Sequence, residues 1–148
     1  MKVDFHSGIA DKLGAACSFL RKAQASGATV VVCGDPDLLD RLDVALWTFD
    51  AVSFVEHVRV KRAATPPALE RTRTWLADDV ASVPTARELL LNLGPAMVEG
   101  WEQFARVVEI VSAEPDDVDA GRRRWRQYNA CSAQSDFELV HHSRTVGT

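Results

Sequence analysis

The sequence predicts an α/β fold, a three-layer α-β-α sandwich with a mostly parallel central sheet. Two observations carry that prediction. Three short runs, TVVVC from Thr29, ELLLNL from Glu88 and VVEIV from Val107, are almost continuously apolar, as strands covered on both faces are. Between the strand candidates, apolar residues recur three and four apart, the period of a helix with one buried stripe. Strands that alternate with helices give parallel pairing with helices on both faces.

The elements follow in order. Val3 to His6 (VDFH) is a short strand candidate. From Ile9 to Ser26, the spacing of Ile9, Leu13, Ala16, Cys17, Leu20 and Ala23 predicts a helix, with Gly27 at its C-terminal cap. Thr29 to Cys33 is a buried strand. Asp35 and Pro36 then suit the N-cap and first turn of a second helix, with Leu38, Leu39, Leu42, Ala45 and Leu46 inward. Ser53 to Val60 reads as a strand, Lys61 to Leu69 as a loop around Pro66-Pro67, and Thr72 to Ala77 as a weaker strand. Glu88 to Leu93 is a strand, Ala96 to Phe104 a short helix and Val107 to Val111 a strand. Pro115 to Ala130 is the last helix, and Phe137 to Val140 an edge strand. No linker divides the chain, so residues 1–148 are expected to form one domain.

Composition narrows the function class. Length (148 residues), hydrophobic fraction (47%) and charged fraction (26%) are those of an ordinary soluble domain. No apolar run approaches the roughly 18 residues of a spanning helix, and the first residues lack a secretory pattern. No membrane association and a cytoplasmic location are therefore expected. Cys17, Cys33 and Cys131 are odd in number and far apart, against disulfides or a zinc site. Cys17 and Cys33 read as small core residues. With a net charge of -4 there is no global pull on a polyanion. Two local basic clusters stand out: Arg59, Lys61, Arg62, Arg71 and Arg73, and the denser Arg122, Arg123, Arg124 and Arg126.

The sequence assembles no catalytic centre. The CGDPD turn after the second strand has one glycine where a dinucleotide fingerprint needs three, and no Gly-Lys-Ser/Thr occurs for a phosphate loop. A Rossmann-like architecture without a nucleotide site results, and no cofactor is expected. Asp35, Asp37, Asp40 and Asp43 read as a capped acidic helix start rather than a metal site. His6, His57, His141 and His142 are scattered, and the last two read as solvated.

The last helix, DDVDAGRRRWRQYNA from Asp116, is more informative. Val118, Gly121, Trp125 and Tyr128 recur at helical spacing, and Arg122 and Arg126 line one edge of that stripe. Two readings fit. One is a pocket for an acidic peptide with an apolar end, because guanidinium forks bind carboxylates and Trp offers a broad apolar wall. The other is a core aromatic face with a solvated arginine edge.

Several stretches together resemble the chi subunit family of DNA polymerase III. RLDVALW at 41–47 is similar to the family's R-L-D-x-x-L-W helix, and SFVEH at 53–57 to its S-F-x-P-H strand. Phe5-His6 stands in place of a Phe-Tyr or Phe-His pair, and Leu90 to Leu93 resembles L-I-N-L. Phe104 to Val111 resembles F-x-R-x-x-E-I-V, and Arg122 to Tyr128 resembles the closing R-x-R-Y-x-x-Y helix. The likeness runs from Val3 to about Val140 and is poor beyond Asn129. Val118 stands where some relatives have Lys, Trp125 where Tyr is common, and Glu56 where Pro is usual.

The resemblance implies a non-catalytic subunit. It implies pairing with psi, which links it to the clamp loader, and a separate face for the acidic, Phe-ending tail of single-stranded-DNA-binding protein. Contact with nucleic acid would be mainly indirect. Carried over by position, the tail site is Arg122, Trp125 and Arg126, with Trp47 close by and Tyr128 supporting the wall. The competing expectations are a nucleotide-dependent enzyme on the same fold, which lacks a phosphate loop here, and direct binding of single-stranded DNA, which calls for more exposed aromatics.

Overall fold

The computed structural model describes residues 1–48, 57–60, 73–78, 80, 83, 88–134 and 136–143. Seven strands form one sheet in the order β3-β4-β2-β5-β6-β1-β7, and every pairing is parallel. They are β1 (Lys2–Ile9), β2 (Val30–Cys33), β3 (Val58–Val60), β4 (Thr74–Ala77), β5 (Leu89–Asn92), β6 (Arg106–Ser112) and β7 (Glu138–Ser143). Among the described residues, three α-helices accompany them: α1 (Lys12–Ala25), α2 (Pro36–Thr48) and α3 (Pro115–Ser132).

Alternation along the strands sorts side chains into two cores. On one face Val30, Val32, Leu89, Leu91, Val108 and Ile110 pack against α1 (Ala16, Cys17, Leu20) and α2 (Leu39, Leu42, Leu46). On the other, Val3, Phe5, Val31, Trp75, Leu90 and Val107 meet Trp101, Phe104 and Tyr128 of α3. The three layers expected from the sequence are present, and Cys17 and Cys33 are buried free thiols as anticipated.

Local chemistry sets the boundaries. The first strand runs on to Ile9, so the helix begins later than its apolar spacing suggests. Asp11 caps it, accepting the Gly14 N–H at 3.1 Å. Gly27 lies just past the helix end at φ 77°, a left-handed conformation that only glycine adopts without strain, and its N–H returns to the Gln24 carbonyl. Pro36 opens α2, and the Asp35 carbonyl accepts the Leu39 N–H. The weak strand candidate at Thr72 to Ala77 is a fully buried interior strand from Thr74. The start of the strand expected at Ser53 to Val60 and the loop from Lys61 to Leu69 lie outside the described residues.

The helix expected at Ala96 to Phe104 is only a 3-10 turn, Trp101–Gln103. Asn92 holds the preceding loop, accepting the Gly94 N–H and donating to the Ala96 carbonyl, while Gly100 at φ 89° breaks the helical path.

Buried polar groups tie the layers and strands together. Asp4, fully buried on β1, accepts from Arg106 of β6 at 2.8 Å and pairs with His142 of β7 at 3.0 Å. Asp117 at the start of α3 accepts the Ser112 N–H at 2.6 Å and the Lys12 ammonium of α1 at 3.0 Å. Burial alone would raise the Asp117 pKa, but the Ser112 amide and Lys12 outweigh it and hold the carboxyl below its ordinary value. A carboxyl with a depressed folded pKa contributes stability that is complete above its unfolded value, near 3.9, and is lost as pH falls through the folded value. Asp117→Asn is therefore expected to cost about 1–2 kcal/mol at pH 7, and that gap is expected to close in acid below about pH 4. Urea unfolding of both proteins across that range checks it; an undiminished gap at low pH would remove the electrostatic account.

Candidate functional site: a cationic aromatic pocket beside α3

α3 is an 18-residue helix with Pro115 in its first turn and Asp116 and Asp117 at its positive end. Ala120, Gly121, Arg124 and Tyr128 face the sheet, with Trp125 and Val118 half-buried. Gly121 sets how close the helix comes. A Cβ there would lie 2.8 and 2.9 Å from the two methyl groups of Val111, so only glycine lets α3 settle on β6 at this point. The cleft left along that approach has a volume of about 500 Å³. Phe5, Gly121, Val111, Val118 and Trp125 give it apolar walls, and Arg122 and Arg126 stand on its helix side.

The arginine cluster divides by helical position. Arg122, Arg123 and Arg126 are exposed, whereas Arg124 is fully buried. Its Nε donates to Glu109 of β6 at 2.9 Å and its Nη1 to the Pro95 carbonyl at 3.0 Å. Glu109 also accepts from Asn92 at 3.0 Å and from the Tyr128 hydroxyl at 2.8 Å. Burial pushes the Glu109 carboxyl above its ordinary range, and Arg124, Asn92 and Tyr128 oppose that push. Three donors converge on the two oxygens, an arrangement that suits the ionised carboxylate. Burial and the neighbouring Glu109 drive the Tyr128 phenol far upward, so it remains a proton donor.

This polar cage was missed in the sequence reading of the helix as an aromatic stripe with an arginine edge. Its signal was the glutamate inside VVEIV, since a charge on a doubly covered strand requires a buried partner.

The five residues singled out on sequence grounds therefore have different positions. Arg122, Trp125 and Arg126 meet in the cleft. Tyr128 lies behind it, fully buried, its ring edge-on to Phe5 at 5.6 Å and Trp101 at 4.9 Å. Trp47 is not among the lining residues. It stands 64% exposed on α2, which packs on the opposite face of the sheet, with its ring 5.8 Å from that of His57.

β1 and β7 supply the wall facing the arginines. Phe5 meets Trp125 edge-on at 5.2 Å, and His141 of β7 lies 5.8 Å from the same indole. His141 Nε2 and the Ser7 hydroxyl are 2.6 Å apart. His141 was read as a solvated tail residue. It is exposed, but it lines the cleft. Alternation from Phe137 through Leu139 was the available signal, because it puts His141 on the α3 side of the sheet. Among the described residues, no group of three His, Cys, Asp or Glu is placed to hold a metal ion, and no helix is long and apolar enough to cross a membrane.

What the site can do is hold an anion with an apolar end. None of the ten lining residues among the described ones is acidic, and the cleft pairs two arginines with an indole and a phenyl ring. Comparison with known proteins agrees with the family resemblance noted in the sequence. The family model described as DNA polymerase III chi subunit, HolC, matches residues 1–135. The DNA polymerase III subunit chi of Pseudomonas aeruginosa is 30% identical over 119 residues, covering 79% of this chain and 78% of that protein. Matched by that family model over nine-tenths of its length, this chain belongs to the DNA polymerase III chi subunit family.

Proposed function

We propose that the chain is a non-catalytic cytoplasmic subunit of the polymerase assembly. It joins the clamp loader, through psi, to the acidic C-terminal tail of single-stranded-DNA-binding protein. The observation that carries the tail assignment is the cleft where Arg122, Arg126 and Trp125 meet around an apolar floor. An apolar terminal side chain enters between Trp125 and Phe5, and carboxylates of the tail meet the two guanidinium groups. Tyr128 acts from behind, holding Phe5 in place; Trp47, on the other layer, has no part in this cleft. Tethering then gives a weak contact its strength, because a second link inside one assembly forms at high effective concentration.

The test is binding of a fluorescent acidic peptide that ends in Pro-Phe with a free carboxylate. Arg122→Ala and Trp125→Ala are each expected to weaken binding about tenfold or more, roughly 1.4 kcal/mol. Both side chains reach solvent, so neither change should unfold the protein. Added salt is expected to weaken binding by the parent, since the arginines are exposed and the ligand is anionic. Binding that ignores both salt and the two substitutions would move the tail site elsewhere.

A further inference from the structure

We infer that His141, held by Ser7, is a specificity-determining residue of the α3 cleft, and that its protonation is linked to the binding of an anionic peptide. The inference rests on the reading of the cleft as a peptide site, and adds to it a third cationic group on the wall facing the helix.

The geometry supports it in three ways. First, the strand order brings β7 alongside β1, so that His141 pairs with Phe5 in register and both reach the cleft. Second, the ring is anchored without being used up. Nε2 meets the Ser7 hydroxyl at 2.6 Å, while Nδ1 takes no partner among the described residues. A serine hydroxyl donates to a bare Nε2 or accepts from a protonated one, so the contact survives in either charge state. With both ring nitrogens protonated, Nδ1–H is a donor for a ligand oxygen and the ring adds a positive charge to that bond.

Third, the surroundings make the charge conditional on the ligand. Ser7 of β1 and Trp125 of α3 meet the His141 ring, and Phe5, Arg122 and Arg126 line the same cleft. None of the described lining residues is acidic, so they offer an imidazolium at His141 no counter-ion. An anionic ligand supplies the missing negative charge and stabilises the protonated ring. Binding therefore takes up a proton, and by linkage it tightens as pH falls.

The neighbouring histidine serves as an internal control. His142 projects from the other face of the sheet, where it pairs with Asp4 at 3.0 Å and stacks on His6 at 4.6 Å. It does not line the cleft.

The experiment measures the affinity of the acidic Pro-Phe peptide between pH 8.0 and 6.0 for the parent, His141→Gln, His142→Gln and Arg122→Ala. Peptide carboxylates stay ionised throughout that range. Parent affinity is expected to rise about threefold to fivefold towards pH 6.0, a size suited to an exposed charged contact. His141→Gln is expected to flatten that rise and His142→Gln to keep it. A pH-independent parent that still loses affinity on Arg122→Ala would overturn the role of His141 and leave the peptide site standing. A rise that persists in His141→Gln would also overturn it. A parent that binds no peptide at any pH removes the peptide site, and this inference with it.

Discussion

Glu109→Ala is expected to cost about 3–5 kcal/mol of folding stability, because it leaves the Arg124 guanidinium buried without its counter-charge. Arg124 and Glu109 are both essentially inaccessible to solvent and meet at 2.9 Å. The desolvation cost of each ion is offset only by the other and by the surrounding hydrogen bonds. Even in the intact protein the cage is tight, since Arg124 Nη2 has no acceptor among the described residues. Removing the carboxylate also leaves Arg124 Nε, the Tyr128 hydroxyl and one Asn92 N–H without an acceptor, with only Nη1 still held by Pro95. Truncating only the cation, as Arg124→Met, has the mirror consequence of a buried carboxylate with no cationic partner.

Replacing both together, as Glu109→Leu with Arg124→Met, is expected to recover a large part of the loss, because no bare charge remains. The part that stays lost comes from the Tyr128 hydroxyl and Asn92 N–H that Glu109 accepted and the Pro95 carbonyl that Arg124 served. Urea unfolding of Glu109→Leu, Arg124→Met and the double variant checks this. Additive losses would mean that the two residues do not act as a pair.

The cage also links core to function. Arg124 and Tyr128 are one turn apart on the inner side of α3, while Arg122, Trp125 and Arg126 occupy the side that borders the cleft. Fixing the first pair to Glu109 and Pro95 fixes the rotation of the helix about its axis. That rotation decides whether the two exposed arginines stand over the cleft.

The same helix shows how far sequence reasoning reaches. Periodicity identified Arg122, Trp125 and Arg126 as neighbours because residues three and four apart share a helix surface. It did not separate Arg124 from the other arginines, since a guanidinium is ordinarily solvated and only Glu109, fifteen residues earlier, draws it inward. The strands were legible where they were long or uniformly apolar, as in VVEIV. TWLA was faint because four residues carry little alternation and the sheet buries all of them. Trp47 was grouped with α3 by family resemblance; the layer to which a helix belongs is set by connections that spacing within the helix does not encode. His141 and Ser7 are 134 positions apart and meet only because β7 closes the sheet next to β1.

Gly121→Leu is expected to damage both stability and binding. A Cβ at this position would lie within 3 Å of both branches of Val111. Val111 is 4% exposed and belongs to the core beneath α3, so it has little room to withdraw. Overpacking of this kind costs about 1–3 kcal/mol, against which exchanging glycine for a better helix former returns roughly 1 kcal/mol. The rest of the leucine side chain enters the cleft that Gly121 lines, so peptide affinity is expected to fall by more than tenfold, roughly 1.4 kcal/mol.

The two effects separate with a smaller change. Gly121→Ala keeps most of the cleft but retains the Cβ clash, and Val111→Ala removes the atoms it meets. Gly121→Ala is therefore expected to be neutral or destabilising in the parent, and to stabilise in a Val111→Ala background, where only the helix preference remains. If Gly121→Ala stabilises equally in both backgrounds, contact with Val111 does not limit the approach of α3. The glycine would then matter to the cleft only through the volume it leaves open.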